Sequence, residues 1–172
     1  MANRSDARGI LITGIYGVGK STLVEAIAGE LEERGTRYGA LDIDWLTWFD
    51  AGQPGHDAGW PVALQNIDAV VSNYYKAGVR RFVLGGSILT QTEVDDLARA
   101  TAMPLVVVRL TLPIDEIERR LSKSVTAARA DDLAVAKAWH AEGRGEGVGD
   151  LTLANDRSIE EVAGDVLAFV KW

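Results

Sequence analysis

Apolar positions fall into two rhythms along this chain. Short apolar runs recur, separated by longer stretches that carry one apolar face. The runs GILITG (9–14), YGALDID (38–44), RRFVLGG (80–86), PLVVVRLTL (104–112) and GDLTLAN (149–155) are predicted to be buried strands. After the first, Leu23, Ile27 and Leu31 lie on one face of a helix that stops at Gly35. Residues 61–78 continue helically, with Pro61 near the first turn and Gly78 at the end. Thr90 with Glu93 and Ser158 with Glu161 have the spacing of capping boxes. The first opens a helix to about Ala100; the second opens one striped by Val162, Val166, Phe169 and Val170. Ile114, Ile117 and Leu121 mark a short helix after the fourth run. Strands alternating with helices predict an α/β fold, a parallel sheet covered on both faces.

No internal repeat or linker interrupts this pattern, so residues 1–172 are expected to form one domain. Two regions are irregular: 45–60, rich in aromatic residues and glycine, and 122–148, mixed in charge, whose spacing allows a helix from Ala130 to Ala141. Loops this long in a compact domain are usually functional or mobile.

Composition narrows the function. The chain is 47% hydrophobic and 25% charged, enough apolar mass for a core. It has no cysteine, which excludes disulfides, thiolate metal sites and cysteine nucleophiles. No apolar run has the length of a membrane span and no signal-peptide pattern is seen, so a cytoplasmic protein without membrane contact is expected. The net charge of −7 argues against nucleic acid as a partner. An acidic protein that holds a polyanion must do so with local devices.

One such device stands between the first strand and the first helix. GIYGVGKS, residues 14–21, fits G-x-x-x-x-G-K-[ST] in its strand-to-helix context. Glycines let the loop Gly14, Tyr16, Gly17, Val18 and Gly19 curl so that N–H groups converge on phosphate oxygens. The helix amino terminus adds positive potential. Lys20 reaches the β and γ phosphates, the Ser21 hydroxyl can ligate Mg²⁺, and Thr22 can touch the α phosphate. The expected ligands are the phosphates of a nucleoside triphosphate and Mg²⁺.

With this motif and element order the chain resembles the small P-loop kinases: nucleoside monophosphate kinases, gluconate and shikimate kinases, adenylylsulfate kinases and chloramphenicol phosphotransferase. The resemblance is specific at residues 14–22 and otherwise a matter of motif order. It implies a three-layer α/β/α P-loop NTPase fold whose five-stranded parallel sheet has the order 2-3-1-4-5. It further implies an acceptor-binding region after strand two (about 44–60), a lid bearing arginine after strand four (about 122–148), and an adenine contact after strand five.

After strand two stands LDIDWLTWFD. Asp42 and Asp44, two apart, are expected on one side of the strand. Asp44, at its carboxyl end where open α/β sheets place ligands, is the candidate base for an acceptor hydroxyl, and Asp42 a metal-water ligand. Trp45, Trp48 and Trp60, with Phe49, would line an acceptor pocket or pack in the core; His56 is expected in solvent. After strand four, Arg120 and Leu121 match an Arg-Leu-x-x-Arg lid pattern, but Ser124 replaces the second arginine, leaving Lys123 or Arg129 to supply its charge. After strand five, Asn155 and Arg157 sit where related kinases cradle adenine. Strand three ends FVLGGS without the metal-orienting Asp of many P-loop proteins. Gly85 and Gly86 there permit close approach of a ligand or backbone, and Ser87 is a candidate acceptor contact. A patch at Val170 and Trp172 could be core or interface.

With the resemblance, these features predict transfer of the γ-phosphoryl group of ATP to a hydroxyl of a small molecule. The 45–60 region has no Lys or Arg and is flanked by Asp42 and Asp44, which favours a neutral or cationic acceptor. A non-catalytic nucleotide-binding module and a nucleoside monophosphate kinase stand as alternatives. A GTP switch would need a guanine-reading Asn-Lys-x-Asp, and the sequence has none.

Overall fold

The structure, a computed structural model, describes residues 4–47, 59–122 and 127–172, without the side chains of 127–130. The elements follow in the order β1 (Arg8–Thr13), α1 (Lys20–Glu33), β2 (Tyr38–Asp42), α2 (Ile43–Leu46), α3 (Gly59–Lys76), β3 (Arg81–Gly85), α4 (Gln91–Thr101), β4 (Leu105–Thr111), α5 (Ile114–Ser122), α6 (Ala127–Ala141), β5 (Leu151–Ala154) and α7 (Ile159–Val170). The strands form one parallel sheet, β2-β3-β1-β4-β5, flanked by helices. This is the three-layer P-loop arrangement.

β1 is the central strand, pairing with β3 on one side and β4 on the other. Its period of two divides the core. Ile10 and Ile12 join Leu23, Ile27 and Leu31 of α1 and Val162 and Val166 of α7. Leu11 joins Ile67 and Val71 of α3 and Val94 and Leu97 of α4. Burying each such aliphatic side chain stabilises the fold by about 1.5–3 kcal/mol. The chain leaves β1 for β2 on one side and later returns to β4 on the other. The carboxyl end of β1 therefore lies where loops from both halves meet, the usual ligand crevice of such sheets.

Three expectations change. β2 ends at Asp42, not at residue 44. The Asp42 carboxylate accepts from the Asp44 N–H at 3.0 Å and caps α2, while Ile43 turns into the second core. An Asp N-cap together with burial of Ile43 outweighs extension. Asp42 and Asp44 thus do not share a strand face; Asp44 sits in the first turn of a short helix. Second, α3 begins at Gly59 and takes Trp60 into its first turn. Third, most of 122–148 is structured. α6 starts before Ala130, and its Ala136 is buried in the first core. A turn chain with Gly143, Gly145, Gly147 and Gly149 at positive φ then leads towards β5. Both capping boxes form as expected, and Val170 and Trp172 pack against the first core. Among the described residues no helix is long and apolar enough to cross a membrane.

Candidate nucleotide and acceptor site

The loop between β1 and α1 takes its shape from glycines at positive φ: Gly14 at 143°, Gly17 at 82° and Gly19 at 99°. Each is also hemmed in. A Cβ at Gly14 would meet the Leu110 carbonyl oxygen at 2.7 Å, and one at Gly17 would meet Ile117 Cγ2 at 2.9 Å and Leu121 Cγ at 3.0 Å. Gly17 lies at a variable position of the motif, yet α5 packs directly on it. Gly19 is the N-cap of α1 and offers no side chain to its first turn. α4 and α7, by contrast, have their amino ends closed by Thr90 and Ser158. The first-turn N–H groups of α1 therefore lack a side-chain cap, the arrangement that suits phosphate oxygens.

Lys20 is buried and forms the hub of the site. Its Nζ donates to Ser87 Oγ at 3.0 Å and to the Ile15 carbonyl at 3.4 Å, and lies 3.7 Å from Asp44 Oδ2. The ammonium also lies 5.2 Å from the Tyr16 ring centroid. Burial pulls its pKa below the ordinary lysine value, while the charges of Asp44, Asp42 and, more weakly, Asp132 oppose that shift. Asp44 is oriented from the other side. The Ser87 backbone N–H donates to Oδ1 at 2.8 Å and the Ser87 hydroxyl to Oδ2 at 3.1 Å. Ser21 Oγ donates to Asp42 Oδ2 at 3.0 Å. A hydroxyl and a carboxylate thus stand together at the amino end of α1, a donor set that fits Mg²⁺ with its water. Thr22 is exposed beside them.

A second set braces the loop from above. Asn155 is buried; its Nδ2 donates to the Val18 carbonyl at 2.7 Å and would collide with any Cβ at Gly19. Arg120 of α5 donates to the Asn155 carbonyl at 3.1 Å and to Glu116 Oε1 at 3.0 Å. Hydrogen bonds from Arg119 and Arg120 hold the Glu116 carboxyl down to about 2. Arg120 Nη1 lies 3.5 Å from where a Gly19 Cβ would be, so the guanidinium overlooks the loop.

The structure thus brings together Lys20, Ser21, Asp42, Asp44 and Ser87, and sets Arg120 and Asn155 on the same loop. Other candidates lie apart from it. Arg157 is exposed and paired with Asp165 at 2.7 Å on α7. Trp60 donates through Nε1 to Asp96 Oδ2 at 3.1 Å and packs on the second core, which accounts for it as an α3–α4 contact. Trp45 is exposed on α2. Gly85 and Gly86 make room for side chains: a Cβ there would meet Val24 Cγ2 or Ile43 Cβ at 2.9 Å. Trp48, Phe49, His56, Lys123 and Ser124, and the side chain of Arg129, lie outside the described residues.

Sequence reasoning missed Trp139 and Asp132, both on α6. The Trp139 ring stacks on Tyr16, with centroids 5.0 Å apart and planes 19° from parallel. Burial, and the charges of Asp44 and Asp132, raise the Tyr16 hydroxyl pKa. An aromatic residue in the lid-like segment was the one local cue to this contact.

Comparisons with known proteins place this geometry. The sequence profile of the family described as "Methylmalonyl Co-A mutase-associated GTPase MeaB" matches residues 1–108. No curated protein matches the sequence. Among solved structures, an APS kinase from Mycobacterium tuberculosis superposes with a TM-score of 0.67 at 21% identity, covering 98% of this chain and 99% of that one. A gluconokinase from Sinorhizobium meliloti gives 0.65 at 21%, covering 97% and 93%. A tunicamycin resistance protein from Deinococcus radiodurans gives 0.62 at 17%, covering 95% of each. At these identities the likeness is one of fold, that of the small P-loop kinases.

Proposed function

The chain belongs to the family of the methylmalonyl Co-A mutase-associated GTPase MeaB, and from the geometry of its site we propose that it works as a small-molecule kinase on the P-loop frame. It would transfer the γ-phosphoryl group of ATP to a hydroxyl. The observation that carries this reading is the fixed carboxylate of Asp44. It is held by two donors from Ser87 and stands beside Lys20 at the carboxyl edge of the sheet. A carboxylate oriented in this way can take the proton of a hydroxyl held beside the γ phosphate.

Phosphoryl transfer asks mainly for positioning and charge neutralisation. The first-turn N–H groups of α1 and Lys20 would hold the β and γ phosphates. Ser21, and Asp42 through water, would hold Mg²⁺, which supplies charge neutralisation on the phosphates. Asp44 would take the proton of the acceptor hydroxyl as its oxygen bonds to the γ phosphorus and the bond to the β–γ bridging oxygen breaks. Arg120, with Nη1 turned to the loop, would meet the charge that builds on the transferring group. Asp42, Asp44 and Asp132 make the surroundings acidic, which favours a neutral or cationic acceptor such as a nucleoside, sugar or amino alcohol.

The family description favours a second reading, GTP hydrolysis. The profile match ends in β4, before α5, β5 and Asn155. It spans the phosphate-binding half, while the segments expected to meet the base lie beyond it. Two measurements separate the readings. ADP release from Mg-ATP, stimulated by one of several acceptor pools (nucleosides, sugars, aminoglycosides, nucleoside monophosphates), with a phosphorylated product, is the expected result. GTP turnover without any acceptor, together with guanine-selective binding, would establish hydrolysis instead.

Asp44→Asn tests the base. Transfer is expected to fall by about a hundredfold to ten-thousandfold while nucleotide still binds. The substitution also removes the foremost charge that keeps the Lys20 proton in place. Nucleotide affinity in the variant should therefore decline with rising pH at a lower pH than in the parent protein. Full transfer activity in Asp44→Asn would remove the base role.

A further inference from the structure

A cavity of about 540 Å³ opens at the amino edge of the sheet, the end opposite the P-loop. Arg8 at the start of β1, Arg37 before β2, Arg80 and Arg81 at the start of β3, and Lys171 after α7 line it. Among the described residues Asp6 is the one acidic side chain in its lining, and it is already engaged: Arg80 Nε donates to it at 2.8 Å and Tyr75 at 2.6 Å. Among the described residues no carboxylate pairs with Arg8, Arg37, Arg81 or Lys171. The Arg81 guanidinium is steadied over the Trp172 ring, 5.6 Å from its centroid, and the Trp172 main-chain carboxylate, the terminal one of this 172-residue chain, accepts from Arg34 at 3.0 Å.

Cations at helix carboxyl ends often do no more than offset the helix dipole, about half a charge per helix. Three helices end here, which would absorb roughly one and a half charges. In each, moreover, a carbonyl of the last turn is already bonded by its own chain. Thr36 N–H donates to Leu31 O, Val79 N–H to Tyr74 O, and Trp172 N–H to Leu167 O. The four cations without a carboxylate partner among the described residues exceed that demand, and they gather in a chain whose net charge is −7. The cavity is concave and within the roughly 300–1,000 Å³ usual for small ligands. Guanidinium groups are the residue type suited to phosphate oxygens.

We propose that this cavity is a binding site for a small polyphosphate-bearing molecule, separate from the P-loop. The site stands on its own geometry and does not depend on which reaction the P-loop end performs.

The test is calorimetric titration of the 172-residue chain with tripolyphosphate in a Lys20→Ala background, which disables the P-loop as a competing site. One site is expected, weakening as salt rises. Adding Arg37→Gln and Arg81→Gln should weaken it by about tenfold per guanidinium removed. Arg8→Gln with Lys171→Gln, on different elements, should give a loss of similar direction. Thermal melts confirm that each variant is folded. Absence of binding in Lys20→Ala, or binding unchanged by both pairs, overturns the proposal. Binding of a polyglutamate peptide in place of tripolyphosphate would also overturn it and assign the surface to an acidic protein segment.

Discussion

Asn155 shows how one side chain can hold the phosphate loop in shape. It is buried, and its amide donates to the Val18 carbonyl across the gap between β5 and the loop. Asn155→Ala leaves that carbonyl without its partner and is expected to destabilise the protein by about 1–3 kcal/mol. Asn155→Asp should be worse despite its matching size, because a carboxylate cannot donate and would face both a carbonyl and bound phosphate. Urea melts and nucleotide titrations of the two variants check this order. An Asp variant as stable as the parent would show that the amide is a bystander. Legibility at this scale was uneven. Lys20, Ser21 and the glycines could be read because their spacing carries the chemistry. Asn155 was singled out for adenine, by analogy, whereas the structure gives its side chain to the loop backbone. Nothing local in LANDRS marks that contact.

Elements were easier to find than their ends. Each predicted strand and both capping boxes formed, because apolar runs and Ser/Thr-x-x-Glu spacings are local properties. The end of β2 was misread because LDID alternates like a strand, while Asp42 caps a helical turn that only the second core, through Ile43, makes worthwhile. The lid-like segment was underestimated for a similar reason: the partners of α6 are far away in sequence. Its Trp139 stacks on Tyr16 of the phosphate loop, which joins α6 to the nucleotide end of the sheet. Trp139→Ala removes a stacked pair worth about 0.5–1.5 kcal/mol beyond its buried area. The loss should loosen α6 ahead of the sheet, read as faster amide exchange in α6 than in β1 or β4. It should also weaken nucleotide binding through Tyr16, which lies over Lys20. Exchange rising equally throughout the chain would mean that the stack supports the whole fold rather than the helix.

At the scale of the molecule, the two ends of the sheet carry opposite charge, a pattern hidden in the total. Asp42, Asp44 and Asp132 act on the buried cation of the nucleotide end, Lys20, while Arg8, Arg37, Arg81 and Lys171 gather at the other. The net charge of −7 averages over this division, and only the strand order reveals it. The phosphate loop is built onto the central strand, so ligand binding there should stabilise the entire sheet. A ligand at one hundred times its Kd adds about 2.7 kcal/mol to unfolding, which for a chain of this size raises Tm by roughly 5–10 °C. Melts in equal concentrations of Mg-ATP and Mg-GTP therefore read the base preference directly. A tenfold difference in Kd, about 1.4 kcal/mol, separates the two curves by roughly 3–6 °C. The larger shift is expected with ATP, and Lys20→Ala should remove the difference between the two. A larger shift with GTP would turn the functional reading to hydrolysis. A residual shift in Lys20→Ala that is equal for the two nucleotides belongs to the basic edge, whereas a base preference that survives would place the nucleotide site away from the loop.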